Sequence, residues 1–415
     1  MNVTAVIAEY NPFHNGHLYQ LQTIREQGAD YIVIVMSGDF MQRGIPAIVN
    51  KYERCRMALS NGADIVFELP AYAALGSAEY FAQGAVSMLD KLGVVDFLHF
   101  GSESGDISLL TECAKITAHE TETYKALLNS YLRQGISFPA ARDRALSDIF
   151  PDKNITHIIK TPNNILGMEY IKALIQRNSS IKPATLARKG EGYSSGSLVS
   201  DSYVSANAIR AALSANKDSA VKSYMPPSVY EALGQELLYA NDFSELVLYR
   251  MLQLASCKDS FAVYYDIGSQ LSHTLYNNLY HYTSFDGFAM QNKTKNLTFS
   301  RICRGLMHIL LDMTQENANC FQQNDYTQYA RLLGFSKHGQ ELLKSIKANA
   351  SIPILTKPSA ASKQLSGAAL MSFQADINAA MIYESVRGQK IQRLSGYSAK
   401  EAVRNELTAE IIKLP

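Results

Sequence analysis

The sequence predicts an α/β fold: a Rossmann-like parallel sheet with helices on both faces, followed by a mainly helical C-terminal domain. Three observations carry this reading. The first hundred residues alternate short apolar runs with stretches of helical pattern, which implies right-handed crossovers and a parallel sheet. Beyond about residue 220 the pattern is mainly helical, with no further strand–helix alternation. With 415 residues the chain is long enough for two or three domains and a substantial core. The domain boundary is accordingly placed at 220, giving units 1–220 and 221–415.

The elements follow in order. Residues 3–8 (VTAVIA) read as a buried strand, 9–13 as a turn, and 15–27 as a helix with Asn15 where an N-cap is wanted. Residues 31–36 form a second strand. A helix over 51–62 closes on a glycine cap, and a third strand over 64–69 is stopped by Pro70. A helix over 78–92 leads to a fourth strand over 94–100, which ends at Gly101-Ser102-Glu103. Residues 106–148 are helical. Thr161-Pro162-Asn163-Asn164 then breaks the chain and caps a helix over 165–176. A further strand over 181–187 runs into a basic loop, 188–193, and a Ser/Gly-rich stretch, 194–202; residues 204–210 open another helix. In open parallel sheets ligands collect at the carboxyl ends of the strands. The loops 9–17, 37–39, 69–70 and 101–103 are therefore expected to converge on one pocket.

Composition narrows the class. Hydrophobic residues at 47% and charged residues at 19% are ordinary for a soluble globular protein. No apolar stretch approaches the roughly 18–20 residues that span a bilayer, and the N-terminus lacks the basic and apolar regions of a secretion signal. Cysteines 55, 113, 257, 303 and 320 show no C-x-x-C spacing and fit reduced thiols in a cytoplasmic protein. The net charge of +1 does not announce a nucleic-acid binder. Two acid-free windows stand out locally: one carries Lys293, Lys295, Arg301 and Arg304, the other Arg387, Lys390, Arg393 and Lys400.

The chemistry-bearing motif is His14-Asn15-Gly16-His17, at the crossover from the first strand to the first helix. Free amides and the helix dipole at such a terminus attract phosphate. Gly16 permits close approach of a ligand to the backbone. Two imidazoles three residues apart add hydrogen bonds to an α-phosphate as charge builds during displacement, which is the chemistry of adenylate formation. The same two histidines also suit a metal site or a plain surface; no H-E-x-x-H frame points to hydrolytic metal chemistry. Three later features bear on this. Ser205, Asn207 and Arg210 at a helix start suit phosphate oxygens or merely cap the helix. Asn163 serves as an N-cap or reads an adenine edge. Arg188 and Lys189 at a strand end neutralise phosphates or are exposed loop charges. The segment Lys357–Lys363 is similar in outline to the lysine-rich signature of class I aminoacyl-tRNA synthetases. It lies in the helical half and lacks a second lysine at the right spacing, so it carries little weight.

Joined together, these residues resemble a known group. His14-Asn-Gly-His17 with Val204-Ser-Ala-Asn-Ala-Ile-Arg210 is similar to the paired signatures of the HIGH-type nucleotidyltransferase superfamily, with Ala206 and Asn207 where Ser and Thr are usual. Residues 9–17 (EYNPFHNGH), 36–44 (MSGDFMQRG), 100–103 (FGSE) and 162–167 (PNNILG) more closely resemble the bacterial tRNA(Met) cytidine acetate ligases. That resemblance is strong in the N-terminal half and rests on length and helical character in the rest. It implies a cytoplasmic enzyme that uses ATP, with Mg2+, to activate acetate as acetyl-adenylate with release of pyrophosphate. The acetyl group then passes to N4 of the wobble cytidine of elongator tRNA(Met). By the same carry-over, ATP is held by Ile7, Ala8, Glu9, Tyr10, Asn11, Pro12, Phe13, His14, Asn15, Gly16, His17, Leu18, Tyr19 and Gln20, with Gly101, Asn163 and Arg188. His14 and His17 are expected to stabilise the transferring phosphoryl group. The wobble base must be splayed from the anticodon loop, and the two basic windows are expected to contact tRNA phosphates. No membrane and no protein partner is implied. The alternatives are a small-molecule adenylyltransferase of the same superfamily and a nucleotide-binding RNA chaperone.

Overall fold

A computed structural model of the chain describes residues 1–151, 155, 159–188, 203–234, 236–395 and 403–415. Its main sheet takes strands in the order 412–414, 330–336, 65–69, 31–37, 3–8, 97–102 and 182–187, with 354–355 added beside 330–336. The central strands are β1 (Val3–Ala8) and β2 (Tyr31–Ser37), paired in parallel from Val3 opposite Tyr31 to Ala8 opposite Met36. On one side lie β6 (Phe97–Ser102) and β7 (Lys182–Ala187), on the other β5 (Ile65–Leu69), all parallel. Successive residues of these strands feed two cores. Val3, Ala5, Val33 and Val35 enter one, with the Ala78–Leu92 and Pro162–Gln176 helices. Val6, Ile32, Ile34 and Met36 enter the other, with the Asn15–Glu26, Lys51–Ser60 and Ala206–Ser214 helices. Helices thus cover both faces, as a buried parallel sheet requires.

The second half is mainly helical, as expected, but it also adds strands to the sheet. Three strands come from beyond residue 220: β8 (Ala330–Ser336), β9 (Ile354–Leu355) and β10 (Ile412–Leu414). β8 runs antiparallel to β5, from Ile65 opposite Phe335 to Glu68 opposite Arg331, with a bulge between Val66 and Phe67. A boundary at 220 therefore does not bound the sheet. These strands escaped the sequence reading for a physical reason. A short apolar run between helices has no period that separates strand from buried helix, and strands of two or three residues have none at all. Between β7 and β8 along the chain lies a helical unit around its own core, built on the Ser244–Leu254 and Phe299–Leu310 helices. A small hairpin of β3 (Phe40–Met41) and β4 (Ile45–Pro46) joins that core to the sheet.

Buried charge ties the two halves together. Lys51 Nζ lies 2.7 Å from Glu68 Oε1 and 3.6 Å from Asp39, and also pairs with Glu406 near the C-terminus. Arg331 Nη1 reaches Glu406 at 2.7 Å and Glu68 at 3.2 Å, while Nη2 donates to the Tyr52 hydroxyl. All five charged residues are buried. Burial alone pushes the Glu406 carboxyl up, but Lys51 and Arg331 together overcome it and hold it at about 2. The loops after β2 and β5 are drawn into this cluster: Asp39, Glu68 and Asp376 surround a cavity of about 10 Å³. They do not reach the pocket on which they were expected to converge. Removing one member of a buried charged set leaves its partners uncompensated at a cost of about 3–5 kcal/mol. Lys51→Met is accordingly expected to lower urea-unfolding stability by roughly that amount, whereas Lys125→Met on an exposed helix stays within about 0.5 kcal/mol.

Candidate active site

β1 ends at Ala8, and the chain turns through Glu9–Phe13 before the first helix. Tyr10 adopts φ of 47°, a left-handed conformation that a bulky side chain holds only when its surroundings enforce it. Its buried ring packs edge-on against Phe13 and His17, with centroids 4.8 Å from each. The N-cap is His14, not Asn15. His14 Nδ1 accepts the Gly16 N–H at 3.0 Å, and His17 Nδ1 accepts the His14 N–H at 3.2 Å. Two imidazoles thus form a capping box, and their rings stack with centroids 3.7 Å apart. The Asn15 amide donates instead to the Ser223 carbonyl at 2.9 Å. Glycine is required at position 16, since a Cβ there would lie 2.9 Å from His14 Cε1.

The cap decides protonation. A ring nitrogen that accepts an N–H carries no proton, so each neutral imidazole bears its proton on Nε2. Burial, with help from Arg188 and Arg210, pulls His14 down to about 3. Burial, His14 and Arg188 place His17 well below the ordinary range. At neutral pH both rings are uncharged Nε2–H donors in a fixed tautomer.

Both rings line a cleft of about 330 Å³ at the carboxyl ends of β1, β6 and β7. Its two walls belong to the two faces of the sheet and differ in chemistry. One wall is polar: His14 and His17, then Ser205, Asn207 and Arg210 at the start of the Ala206–Ser214 helix. Ser205 Oγ caps that helix by accepting the Ala208 N–H at 3.2 Å, and Arg210 Nη1 donates to the Asn11 carbonyl at 2.6 Å. The opposite wall is apolar: Ala78 and Phe81 from one helix, Ile165, Leu166 and Tyr170 from another. The hairpin residues Gln42 and Arg43 close the cleft on the side of the helical unit. Arg188 follows β7 and lies across Gly101, where a Cβ would meet Arg188 Cγ at 3.3 Å. Asn11 Oδ1 accepts the Ile48 N–H at 2.9 Å, while its buried Nδ2 has no partner among the described residues, a donor left for a ligand oxygen.

Residues 1–397 match the HIGH Nucleotidyl Transferase family. The chain belongs to that family. Among curated relatives, the tRNA(Met) cytidine acetate ligase of Caldicellulosiruptor saccharolyticus is 43% identical over 354 residues, covering 84% of this chain and 85% of that protein. The tRNA(Met) cytidine acetate ligase of Thermoanaerobacter sp. is 38% identical over 390 residues, covering 92% and 95%. The crystal structure of apo Thermotoga maritima TmcAL matches with a TM-score of 0.92 at 31% identity over the whole of both chains. The form of that protein bound with alpha-thio ATP matches with a TM-score of 0.89 at 30% identity, again over both whole chains.

The nucleotide contacts carried over from the family fall into three groups in this chain. Ile7, Ala8, Glu9, Tyr10, Asn11, His14, His17 and Gln20 line the cleft, joined there by Gly101, Asn163 and Arg188. Gly16 and Tyr19 line a smaller adjoining cavity of about 40 Å³ beside Arg188. Pro12, Phe13, Asn15 and Leu18 line neither; Phe13 is wholly buried beneath the histidines. Asn163 is not an N-cap. It sits in the first turn of the Pro162–Gln176 helix, and Glu103 caps that turn by accepting from Asn163 Nδ2 at 2.7 Å and from the Asn164 N–H at 2.9 Å. Lys189 lies outside the described residues. Phe81 and Tyr170 were not legible as site residues, since only helix packing brings them to the cleft, and Gln42 and Arg43, though inside the 36–44 motif, were not assigned to the site.

Four of the seven described bases in the two windows pair with acids from outside them. Arg301 and Arg304 pair with Asp266 at 3.3 and 2.9 Å, Arg387 with Glu384 at 2.7 Å, and Lys390 with Asp242 at 2.7 Å. Lys293, Lys295 and Arg393 remain exposed, and Lys400 lies outside the described residues. The windows lacked acids in sequence, but acids from elsewhere meet them in space. Among the described residues no group of three His, Cys, Asp or Glu side chains is placed to hold a metal ion. No helix among them is long and apolar enough to cross a membrane.

Two expectations follow from the cap. Gly16→Ala should drive the His14 ring from its seat, cost about 1 kcal/mol of stability through the lost N-cap, and weaken ATP binding measured by calorimetry. His14 binds its proton at about 3 in the folded chain against an ordinary 6.5, so the unfolded chain holds more protons between those values. The stability carried by the neutral ring is full above pH 6.5 and is lost as pH falls toward 3. Thermal unfolding between pH 7 and 4 should show a flatter pH dependence in His14→Asn, which retains an N-cap acceptor.

Proposed function

We propose that this chain is a tRNA(Met) cytidine acetate ligase. It condenses acetate with ATP to acetyl-adenylate and pyrophosphate. It then transfers the acetyl group to N4 of the wobble cytidine of elongator tRNA(Met), releasing AMP. The observation that carries the reading is the pair of neutral, tautomer-locked imidazoles in the cleft of a chain this similar to ligases of that name along most of its length. Acetate is a poor acyl donor until an AMP leaving group replaces its oxygen. The first task is to align a carboxylate with the α-phosphate while spreading the charge that develops. Two uncharged Nε2–H donors, the Asn11 Nδ2 donor and the guanidinium of Arg188 suit that task.

The residues present fit a nucleotide that brings its own Mg2+. Glu9 is the one carboxylate on the cleft lining among the described residues. A magnesium ion held chiefly by phosphates and water needs no dedicated protein cage. Such an ion would supply charge neutralisation on the phosphates.

The small-molecule adenylyltransferase reading would be tested by deleting the C-terminal half. Since β8 pairs with β5, that deletion strips a strand from the sheet and destroys the fold along with any activity. Substrate assays discriminate better. Mass analysis of nucleosides from tRNA(Met) incubated with enzyme, ATP and acetate is expected to show N4-acetylcytidine, and its absence would refute the reading. The His14→Ala, His17→Ala double variant is expected to lose acetate-dependent ATP–pyrophosphate exchange by about 100-fold or more.

A further inference from the structure

Glu9 is out of keeping with its surroundings. Among the described residues it is the sole carboxylate lining a cleft whose proposed ligands, a triphosphate and acetate, are both anions. Among the described residues it makes no salt bridge that would neutralise it, so its charge opposes acetate and any phosphate oxygen that a magnesium ion leaves uncovered. Its position is nevertheless built. Oε1 accepts the Gln42 N–H at 2.8 Å, and its main-chain carbonyl accepts from the buried Arg54 guanidinium at 2.7 Å. The carboxylate is thereby anchored between the end of β1 and the hairpin that closes the cleft. It lines the cleft together with Tyr170, and its charge adds to burial in pushing the Tyr170 hydroxyl up. Phe81, Phe100 and Tyr170 offer flat apolar surface beside it. A planar, uncharged base fits that lobe better than a phosphate does.

We infer that Glu9 accepts the proton of the wobble cytidine N4 amine during acetyl transfer. The inference rests on the function proposed above. The N4 lone pair is delocalised into the pyrimidine ring, so the amine is a weak nucleophile that turns acidic as the new bond forms. The lone pair attacks the carbonyl carbon of acetyl-adenylate, the C–O bond to phosphate breaks, and AMP leaves with that electron pair. One N4 proton passes to a Glu9 oxygen and from there to water. A positioned base of this kind contributes about 10²–10⁴-fold. Before reaction the carboxylate accepts a hydrogen bond from N4, and so holds the amine toward the acetyl carbon. The adenine amine is the other neutral donor in the system; a Glu9 that read adenine would be felt in acetate activation instead.

Glu9→Gln keeps an oxygen for the Gln42 N–H and removes the base. Three readouts on the full-length variant test the inference: acetate-dependent ATP–pyrophosphate exchange, acetyl transfer to tRNA(Met) from supplied acetyl-adenylate, and the thermal midpoint as a check on folding. The expected result is a transfer rate reduced about 100-fold or more, at least tenfold further than exchange, with tRNA affinity within threefold of the parent. A loss of transfer less than tenfold beyond that of exchange overturns the role, as does a loss explained by weakened tRNA binding. If the variant is unfolded, Glu9→Asp, which keeps a carboxylate on a shorter stem, decides: transfer must exceed that of Glu9→Ala by tenfold or the role is wrong. Failure of the parent enzyme to show acetate-dependent exchange counts against the proposed function itself, and so is told apart from failure of Glu9.

Discussion

The first turn of the Asn15–Glu26 helix presents backbone donors that must be satisfied, and this chain satisfies two N–H groups there with imidazole nitrogens. That choice constrains everything around it. An accepting Nδ1 excludes a proton from that atom, so both rings must stay neutral and point Nε2–H outward. Neutral rings can stack and be buried, and Tyr10 and Phe13 pack beneath them. Gly16 follows because the His14 ring occupies the space a side chain would need. The arginines around the cleft reinforce the arrangement by making imidazolium still less favourable. One local requirement of helix chemistry thus fixes the charge state, tautomer and orientation of the groups best placed to meet a phosphate.

A second constraint holds the cleft open at the right width. Arg54 is wholly buried and donates to the main-chain oxygens of Glu9, Ser37, Gly38 and Val49, which fastens the ends of β1 and β2 to the Lys51–Ser60 helix. The adjacent cluster of Lys51, Glu68, Arg331 and Glu406 then locks β5 to β8 and to the C-terminal segment. Buried ion pairs are weak sources of net stability, since desolvation offsets much of the attraction. Their consequence here is registry: only one alignment of the antiparallel β5–β8 pair puts Glu68 opposite Arg331. The helical unit and its hairpin are held to the cleft through that alignment.

The reading of the chain from its residues alone reached different depths in its two halves. Strands β1, β2, β5, β6 and β7 were legible because continuous apolar runs flanked by capped helices admit few other interpretations. The same rule found no strand at 330–336, where helices on either side remove the contrast. The acid-free windows were legible as sequence, but the acids that meet them in space were not. Asp266 lies 38 residues from Arg304 and Asp242 lies 148 from Lys390, and charge pairing in space leaves no trace in local spacing. Of the two roles the sequence leaves open for Asn163, a cap or a reader of an adenine edge, the structure removes the first. Glu103, sixty residues upstream, takes that role because β6 delivers a two-oxygen acceptor to the same turn.

What this sequence determined by itself is local: the apolar runs that must be strands, the glycine and histidines that must open the first helix, and the sheet end at which a phosphate would gather. These follow from interactions between residues a few positions apart, whose geometry the backbone dictates. Only the tertiary structure decided that His14 and His17 cap each other as neutral rings and that the second half completes the sheet. It alone placed Glu9 as the one carboxylate that, among the described residues, lines the cleft beside apolar side chains. Those outcomes depend on burial, on unsatisfied donors and on charges brought together from distant segments, and such quantities exist only once the chain has closed on itself.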